Sequence, residues 1–226
     1  MDGDGAARSA SEWIAPLTGL RPLFGRTFEA AFARPAGFSF EPGQHVRFRS
    51  RRMEREYSMV SIPEDPELRF CIRDTGTGNF SSALASAAPG TDFSFTGPHG
   101  YFRFRPSARI PLFVATGTGI APFVSMARAG VSGFVLLHGV RSVAELHYAD
   151  VFRSAADIYV PCLSDSAFPD QTENAFSGRV TDYLERRLPE GRYDAYLCGR
   201  REMIRDATLL LDDRFPDSRV FSETFF

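Results

Sequence analysis

The chain has 226 residues, a formal net charge of −2 and 13% aromatic residues, a profile that suits one large globular domain or two of about 100 to 120 residues each. This charge balance excludes a polycation that coats nucleic acid, and no apolar run approaches the roughly 20 residues of a membrane span. Cys71, Cys162 and Cys198 are odd in number and widely spaced, which argues against a disulfide framework, a zinc site or an iron–sulfur cluster held within the chain. Redox work would therefore fall to a bound organic cofactor. With no signal-peptide pattern at the start, the expected location is the cytoplasm.

In chain order, residues 1–12 are small and polar and read as a disordered tail. From Trp13 to Phe104, short runs alternate apolar and polar residues between turn signals: Thr27–Ala33, His45–Arg49, Glu56–Ser61, Leu68–Arg73 and Asp92–Phe95. That spacing suits a small antiparallel barrel, with one capping helix over the run from Phe80 that Pro89 and Gly90 terminate.

The middle of the chain, Ile110-Pro-Leu-Phe-Val-Ala-Thr-Gly-Thr-Gly-Ile-Ala-Pro122, reads as a buried strand, a glycine turn and the first turn of a helix. Gly117 and Gly119 permit close approach of backbone N–H groups to a pyrophosphate, and Pro122 sits where a helix start can lose a donor. After it the period changes. Strands at Ile110–Ala115, Gly133–Leu137, Ile158–Leu163, Ala195–Cys198 and Val220–Glu223 alternate with helices at Ala121–Ala129, Val143–Phe152, Val180–Arg187 and Arg201–Asp213. A five-stranded parallel sheet with crossover helices follows. Ser142 and Glu145 have capping-box spacing, and Gly130 stands where a helix should stop. The fold class is thus β plus α/β, divided as 13–107 and 108–226.

Three further stretches carry chemistry. Arg55-Glu-Tyr-Ser58 puts a guanidinium and a ring on one strand face with a hydroxyl next to them, the groups a flavin needs for its pyrophosphate, its ring face and its N5 edge. Gly76-Thr-Gly-Asn-Phe-Ser-Ser82 leads a glycine turn into a helix N-terminus, which suits phosphate or a simple capped turn. Val220-Phe-Ser-Glu-Thr-Phe-Phe226 ends in two aromatics.

Together with Phe40-Glu-Pro-Gly-Gln44, Gly97-Pro-His-Gly-Tyr-Phe102, Ala115–Pro122 and Leu197-Cys-Gly199, these motifs in this order resemble the ferredoxin–NADP reductase superfamily, from about residue 13 to the end. The resemblance implies a six-stranded FAD-binding barrel and a Rossmann-like NAD(P)-binding domain with the active site between them. It implies that Arg55 binds the FAD pyrophosphate, Tyr57 stacks on the flavin, and Ser58 lies near N5. It gives the flavin edge to Phe70, Cys71, Ile72 and Arg73, and the phosphates to Gly78, Asn79, Phe80, Ser81 and Ser82, with Thr116 nearby. Phe225 would cover the other flavin face and Phe226 would lie toward the adenine. Cys198 and Glu223 resemble the cysteine and glutamate that line the hydride-transfer spot, which makes Ser58, Cys198 and Glu223 the catalytic candidates.

Gly117, Thr118, Gly119, Cys198 and Gly199 would meet the nicotinamide nucleotide, whose identity stays open. Arg141 and Arg179 resemble 2′-phosphate ligands, whereas Ser164-Asp165 puts a carboxylate where relatives often carry arginine, leaving NADP(H) slightly ahead of NAD(H). The implied activity is FAD-dependent NAD(P)H:ferredoxin or flavodoxin oxidoreduction by a monomer without a fused iron–sulfur domain. The carrier would be steered to Arg47, Arg49, Arg51, Arg52 and Arg55 by charge. The alternatives are a free-flavin or ferric reductase and a non-catalytic FAD-binding electron-transfer subunit.

Overall fold

The structure is a computed structural model that describes residues 12–50, 53–76, 80–165 and 174–224. Its first half folds as β1 (Glu12–Pro22), β2 (Thr27–Ala33), β3 (His45–Ser50), β4 (Met53–Ser58), β5 (Glu67–Arg73), α1 (Phe80–Ala85) and β6 (Asp92–His99). The strands form one antiparallel sheet in the order β4-β3-β6-β1-β2-β5. The alternating residues found in sequence face inward. Phe32, Phe48, Phe70 and Phe95 are fully buried. Phe48 is the hub, with ring centroids 5.2 Å from Phe32, Phe70 and Phe80.

Two features differ from the barrel read in sequence. First, β1 runs through Pro16 and Gly19, residues that obscure a strand pattern. It tolerates them because a register shift between Leu17 and Gly19 hands the strand from β6 to β2. Second, the sheet rolls up without closing along its length. Its end strands β4 and β5 meet at the Met59–Phe70 bridge and at the Val60 N–H to Arg69 carbonyl bond of 2.8 Å. Among the described residues, the outer edge of β5 past Phe70 has no ladder partner.

The second half contains β7 (Ile110–Thr116), α2 (Ala121–Arg128), β8 (Phe134–Val140), α3 (Ala149–Ala155), β9 (Ala156–Leu163), β10 (Phe176–Ser177), α4 (Val180–Arg186), β11 (Tyr193–Gly199), α5 (Arg201–Arg214) and β12 (Arg219–Thr224). The parallel order is β10-β9-β8-β7-β11-β12, so the five expected strands gain a two-residue sixth. The order reverses between β7 and β11, and the crevice at that switch point is where open α/β sheets take ligands.

The single helix expected over Val143–Phe152 is instead a 3₁₀ turn at Val143–Glu145 followed by α3. Tyr148 is the cause: its backbone is left-handed, with φ of 61°, which a continuous helix cannot accommodate. The Ser142 side chain makes no capping bond, so the capping box does not form.

The two halves share a core. Val60, Cys71 and Phe102 from the first pack with Phe113, Phe123, Phe134 and Tyr196 from the second. Ser125 donates to the Ser61 carbonyl at 2.7 Å and Arg128 to the Val60 carbonyl at 2.9 Å. Apolar burial and satisfied carbonyls therefore hold the parallel sheet against the rolled one.

Candidate active site

Strand β4 of the first half and strand β12 of the second bring their catalytic candidates together. Ser58, buried, donates to Glu223 Oε2 at 2.9 Å. Cys198 is the register partner of Glu223 across the β11–β12 pair. The third polar group is one the sequence did not reveal. His45 Nδ1 lies 2.9 Å from Glu223 Oε1. A lone histidine on a strand has no diagnostic spacing; only the β3–β4 pairing, which sets His45 opposite Ser58, exposes its place. Gly100 permits this packing: its φ is +90°, and a Cβ there would lie 2.9 Å from His45 Nδ1 and 3.3 Å from Glu223 Oε1.

Edge strand β12 is anchored at its start. Arg219 grips the buried Asp194 carboxylate with two bonds of 2.7 and 2.5 Å, and Phe221 stacks on Tyr196 at 4.8 Å. The Arg219 guanidinium holds the Asp194 carboxyl below the usual carboxylate range. The Cys198 thiol is fully buried and pushed well above its ordinary range, first by burial and then by the Glu223 charge. Burial keeps the thiol neutral, so any part it plays is not that of a thiolate nucleophile.

On the opposite face of β4 from Ser58, Tyr57 is half-buried with its ring centroid 5.9 Å from Phe80 and 6.1 Å from Phe48. Burial raises its phenol to about 12. Arg55, on the same face, is exposed and donates to the Glu54 carbonyl at 2.8 Å. Phe70 and Ile72 point into the rolled-sheet core and Cys71 into the shared one, while Arg73 is exposed. Ser81 accepts from the Thr75 N–H at 3.3 Å, and Ser82 donates to Asp74. That hydroxyl, then Arg26 and the Gly76 N–H, hold the Asp74 carboxyl down at about 2. Gly78, Asn79, Phe225 and Phe226 lie outside the described residues, as do Arg51 and Arg52.

At the switch point, Thr116 Oγ1 accepts from the Arg200 N–H at 3.2 Å, joining the ends of β7 and β11. Gly117 through Ile120 form a 3₁₀ turn that leads directly into α2, with Thr118 at its middle. Gly117 has a φ of +55° and open space before it. Gly119 is needed for another reason: a Cβ there would run into the Cys198 carbonyl and the Gly199 Cα. Farther along the carboxyl edge of the sheet, Ser164 donates its N–H to the Val140 carbonyl at 3.0 Å and Asp165 to the Arg141 carbonyl at 3.1 Å. Arg179, exposed, caps the start of α4 with its N–H on Asp182 at 2.8 Å. In the basic run near the flavin motif, the described Arg47 and Arg49 are not free cations. Arg47 pairs with Glu56 at 2.7 Å, and Arg49 with Glu54 at 3.0 Å.

Comparison with known proteins agrees with this layout. Residues 26–104 match the oxidoreductase FAD-binding domain and residues 113–208 the oxidoreductase NAD-binding domain. The chain is 30% identical over 84% of its length to the propane 2-monooxygenase reductase component of Rhodococcus jostii, covering 57% of that protein. It is 33% identical over 65% of its length to ferredoxin–NADP reductase B of Sorangium cellulosum, covering 66% of it. The chain thus spans between about half and two thirds of these curated relatives. In fold it is similar to a ferredoxin–NADP reductase from Neisseria gonorrhoeae, with a TM-score of 0.83, 21% identity and coverage of 96% of this chain and 100% of that one. Among the described residues, no helix is long and apolar enough to cross a membrane. With an FAD-binding domain followed by an NAD-binding domain, the chain belongs to the ferredoxin–NADP reductase superfamily.

Proposed function

We propose that the protein is an FAD-dependent NAD(P)H:ferredoxin or flavodoxin oxidoreductase. The observation that carries the reading is the Ser58–Glu223 bond, a buried polar contact between the FAD-binding and NAD-binding domains with Cys198 alongside. Bound FAD supplies a hydride acceptor at N5 that can return electrons one at a time.

The residues fit such a group. The outer edge of β5 at Cys71–Arg73, which has no ladder partner among the described residues, offers backbone donors and acceptors to the rim of a flat heteroaromatic ring, and buried backbone groups need partners. In this reading Tyr57 packs on one ring face, Ser58 faces N5, and Arg55 pairs with the pyrophosphate, supported by Gly78, Asn79, Phe80, Ser81 and Ser82. Phe225 and Phe226 cover the remaining ring face and the adenine side. Thr116 would stand on the FAD side, while Gly117, Thr118, Gly119, Cys198 and Gly199 would line the nicotinamide approach, where their work would be alignment and exclusion of water. Arg141 and Arg179, against Asp165, tilt the choice toward NADP(H).

Among the relatives are the toluate 1,2-dioxygenase electron transfer component of Pseudomonas putida and reductase components named for ferredoxin. A separate carrier is therefore the acceptor in this proposal. Because Arg47 and Arg49 are neutralised by glutamates, charge steering rests on Arg51, Arg52 and Arg55. Replacing both Arg51 and Arg52 with glutamate should weaken ferredoxin reduction and spare ferricyanide reduction by NAD(P)H. Equal loss in both assays contradicts docking at this place. Retention of FAD through gel filtration supports the assignment against a free-flavin reductase.

A further inference from the structure

The chain crosses from the first half to the second through an irregular linker, Gly100–Arg109, between β6 and β7. Both ends of this linker are fastened to the region of β12. At its start Gly100 packs on Glu223, where an added Cβ would lie 3.3 Å from Oε1. Near its end Ser107 donates to Asp194 Oδ2 at 2.6 Å, and Arg109 Nε donates to the Asp217 carbonyl at 3.0 Å, just before β12. The same Asp194 carboxylate, 2% exposed, accepts from Arg219 Nε at 2.7 Å and Nη2 at 2.5 Å, and Arg219 opens β12. Between the two ends, the Arg105 N–H bonds the Tyr196 hydroxyl at 3.0 Å. Phe221 stacks on Tyr196 at 4.8 Å, with the Arg105 guanidinium 5.5 Å from its centre.

Strand β12 is the outermost of its sheet, and among the described residues its one ladder partner is β11. Such an edge opens more readily than a central strand unless something else holds it. Asp194 stands in register with Arg219, and Cys198 with Glu223, so the fastening lies about 13 Å along the strand from Glu223 at about 3.3 Å per residue.

We propose that Asp194 is a remote positioning residue for Glu223: its one carboxylate fastens the linker between the halves and the strand that carries Glu223 to the same point of β11. The linker and β12 then move as one strap, and Glu223 keeps its 2.9 Å contact with Ser58. This rests on the oxidoreductase reading above, in which that contact lies at the hydride-transfer site. A carboxylate suits the task because it accepts on both oxygens and matches the guanidinium charge. An asparagine accepts on one atom only and turns its amide donors toward Arg219 or Ser107.

The test has two arms. The first is the rate at which a disulfide reagent modifies Cys198 in the native full-length chain, assigned by peptide mapping. Arg219→Met frees the start of β12 and should raise that rate by about 10-fold, with Cys71 and Cys162 unchanged. Arg219→Lys, which keeps the charge, should restore most of the protection. An unchanged Cys198 rate, or an equal rise at all three thiols, overturns the proposal. The second arm is stopped-flow bleaching of the flavin by saturating NAD(P)H. Asp194→Asn should slow it by about 10-fold while the nucleotide dissociation constant changes by less than about 2-fold. In a Glu223→Gln background the same substitution should slow it by less than about 2-fold, because the group it positions is gone. Ser107→Ala leaves Arg219 and Asp194 paired. It should show the same dependence on background with a smaller slowing, and it decides this arm if Asp194→Asn fails to fold. A wild type that NAD(P)H cannot reduce overturns the oxidoreductase reading and this role of Asp194 with it. A reducible wild type in which the substitutions slow both backgrounds equally, or neither, overturns the role of Asp194 alone.

Discussion

The Tyr148 hydroxyl, just before α3, donates to the Glu29 carboxylate of β2 at 2.8 Å, across the boundary between the two halves. Glu29 is 6% exposed and also takes Arg21 at 3.1 Å, while the Arg128 guanidinium lies 5.4 Å from the Tyr148 ring centre. Burial drives the Tyr148 phenol well above its ordinary range and the Cys71 thiol up to about 12. Tyr148, left-handed between the 3₁₀ turn and α3, thus ties the second half to β2 of the first through one hydroxyl. Tyr148→Phe keeps the ring and removes the bond. It should cost about 1.5 kcal/mol, the lower range for a bond to a charged group, and drop Tm by about 3 to 6 °C. Thermal unfolding at pH 7 checks this; an unchanged Tm shows that Arg21 alone satisfies Glu29.

Gly117 and Gly119 should respond differently to substitution. An alanine at 119 meets backbone of β11, which cannot rotate away, so Gly119→Ala should push the turn off Cys198 and cost about 1 to 3 kcal/mol. It should also abolish reduction of the flavin by NAD(P)H while dithionite still reduces it. Gly117→Ala has open space and pays only for its positive φ, about 1 to 2 kcal/mol. Its nucleotide affinity should fall less. Equal nucleotide affinities in the two variants would contradict this account of the turn.

The contrast between these glycines shows how far the sequence could be read. The strand, turn and helix order around Gly117 was legible because it depends on local chain chemistry. The reason for Gly119 was not, since its constraint comes from Cys198, far along the chain. Likewise Ser58, Cys198 and Glu223 stood in recognisable motifs, but His45 joins them only through strand register and the fold of β12. Strand β1 was hidden by its own Pro16 and Gly19, and the break at Tyr148 by a contact with Glu29 that no helical period encodes.

His138 gives the pH dependence a distinct source. It is fully buried, its Nδ1 lies 3.1 Å from the Tyr159 hydroxyl, and its Nε2 has no partner among the described residues. Burial, then His147, lowers its pKa to about 3. The unfolded chain therefore binds a proton here below about pH 6.5 that the folded chain refuses, so stability falls as pH drops from 6.5 toward 3 and is unaffected above. The free-energy difference between wild type and His138→Gln should shift against wild type by about 1.4 kcal/mol per pH unit below 6.5. Urea unfolding at pH 7.5, 5.5 and 4.5 measures it; a pH-independent difference would rule this source out.

All three thiols are buried and pushed up by desolvation. Native protein at pH 8 should give no fast reaction with a disulfide reagent, and denatured protein should give three equivalents. A fast equivalent in the native state, assigned to Cys198 by peptide mapping, would contradict its place as a buried, neutral thiol beside Glu223.

The central claim is that Ser58 and Glu223 join an FAD-binding and an NAD-binding half into one hydride-transfer site. Anaerobic titration of the purified flavoprotein with NADPH and with NADH, followed at the flavin absorbance band, tests it most directly. The account predicts full bleaching by about one equivalent of at least one nucleotide, slowed strongly in Glu223→Ala. A protein that binds no flavin, or a bound flavin that neither nucleotide bleaches, would contradict it.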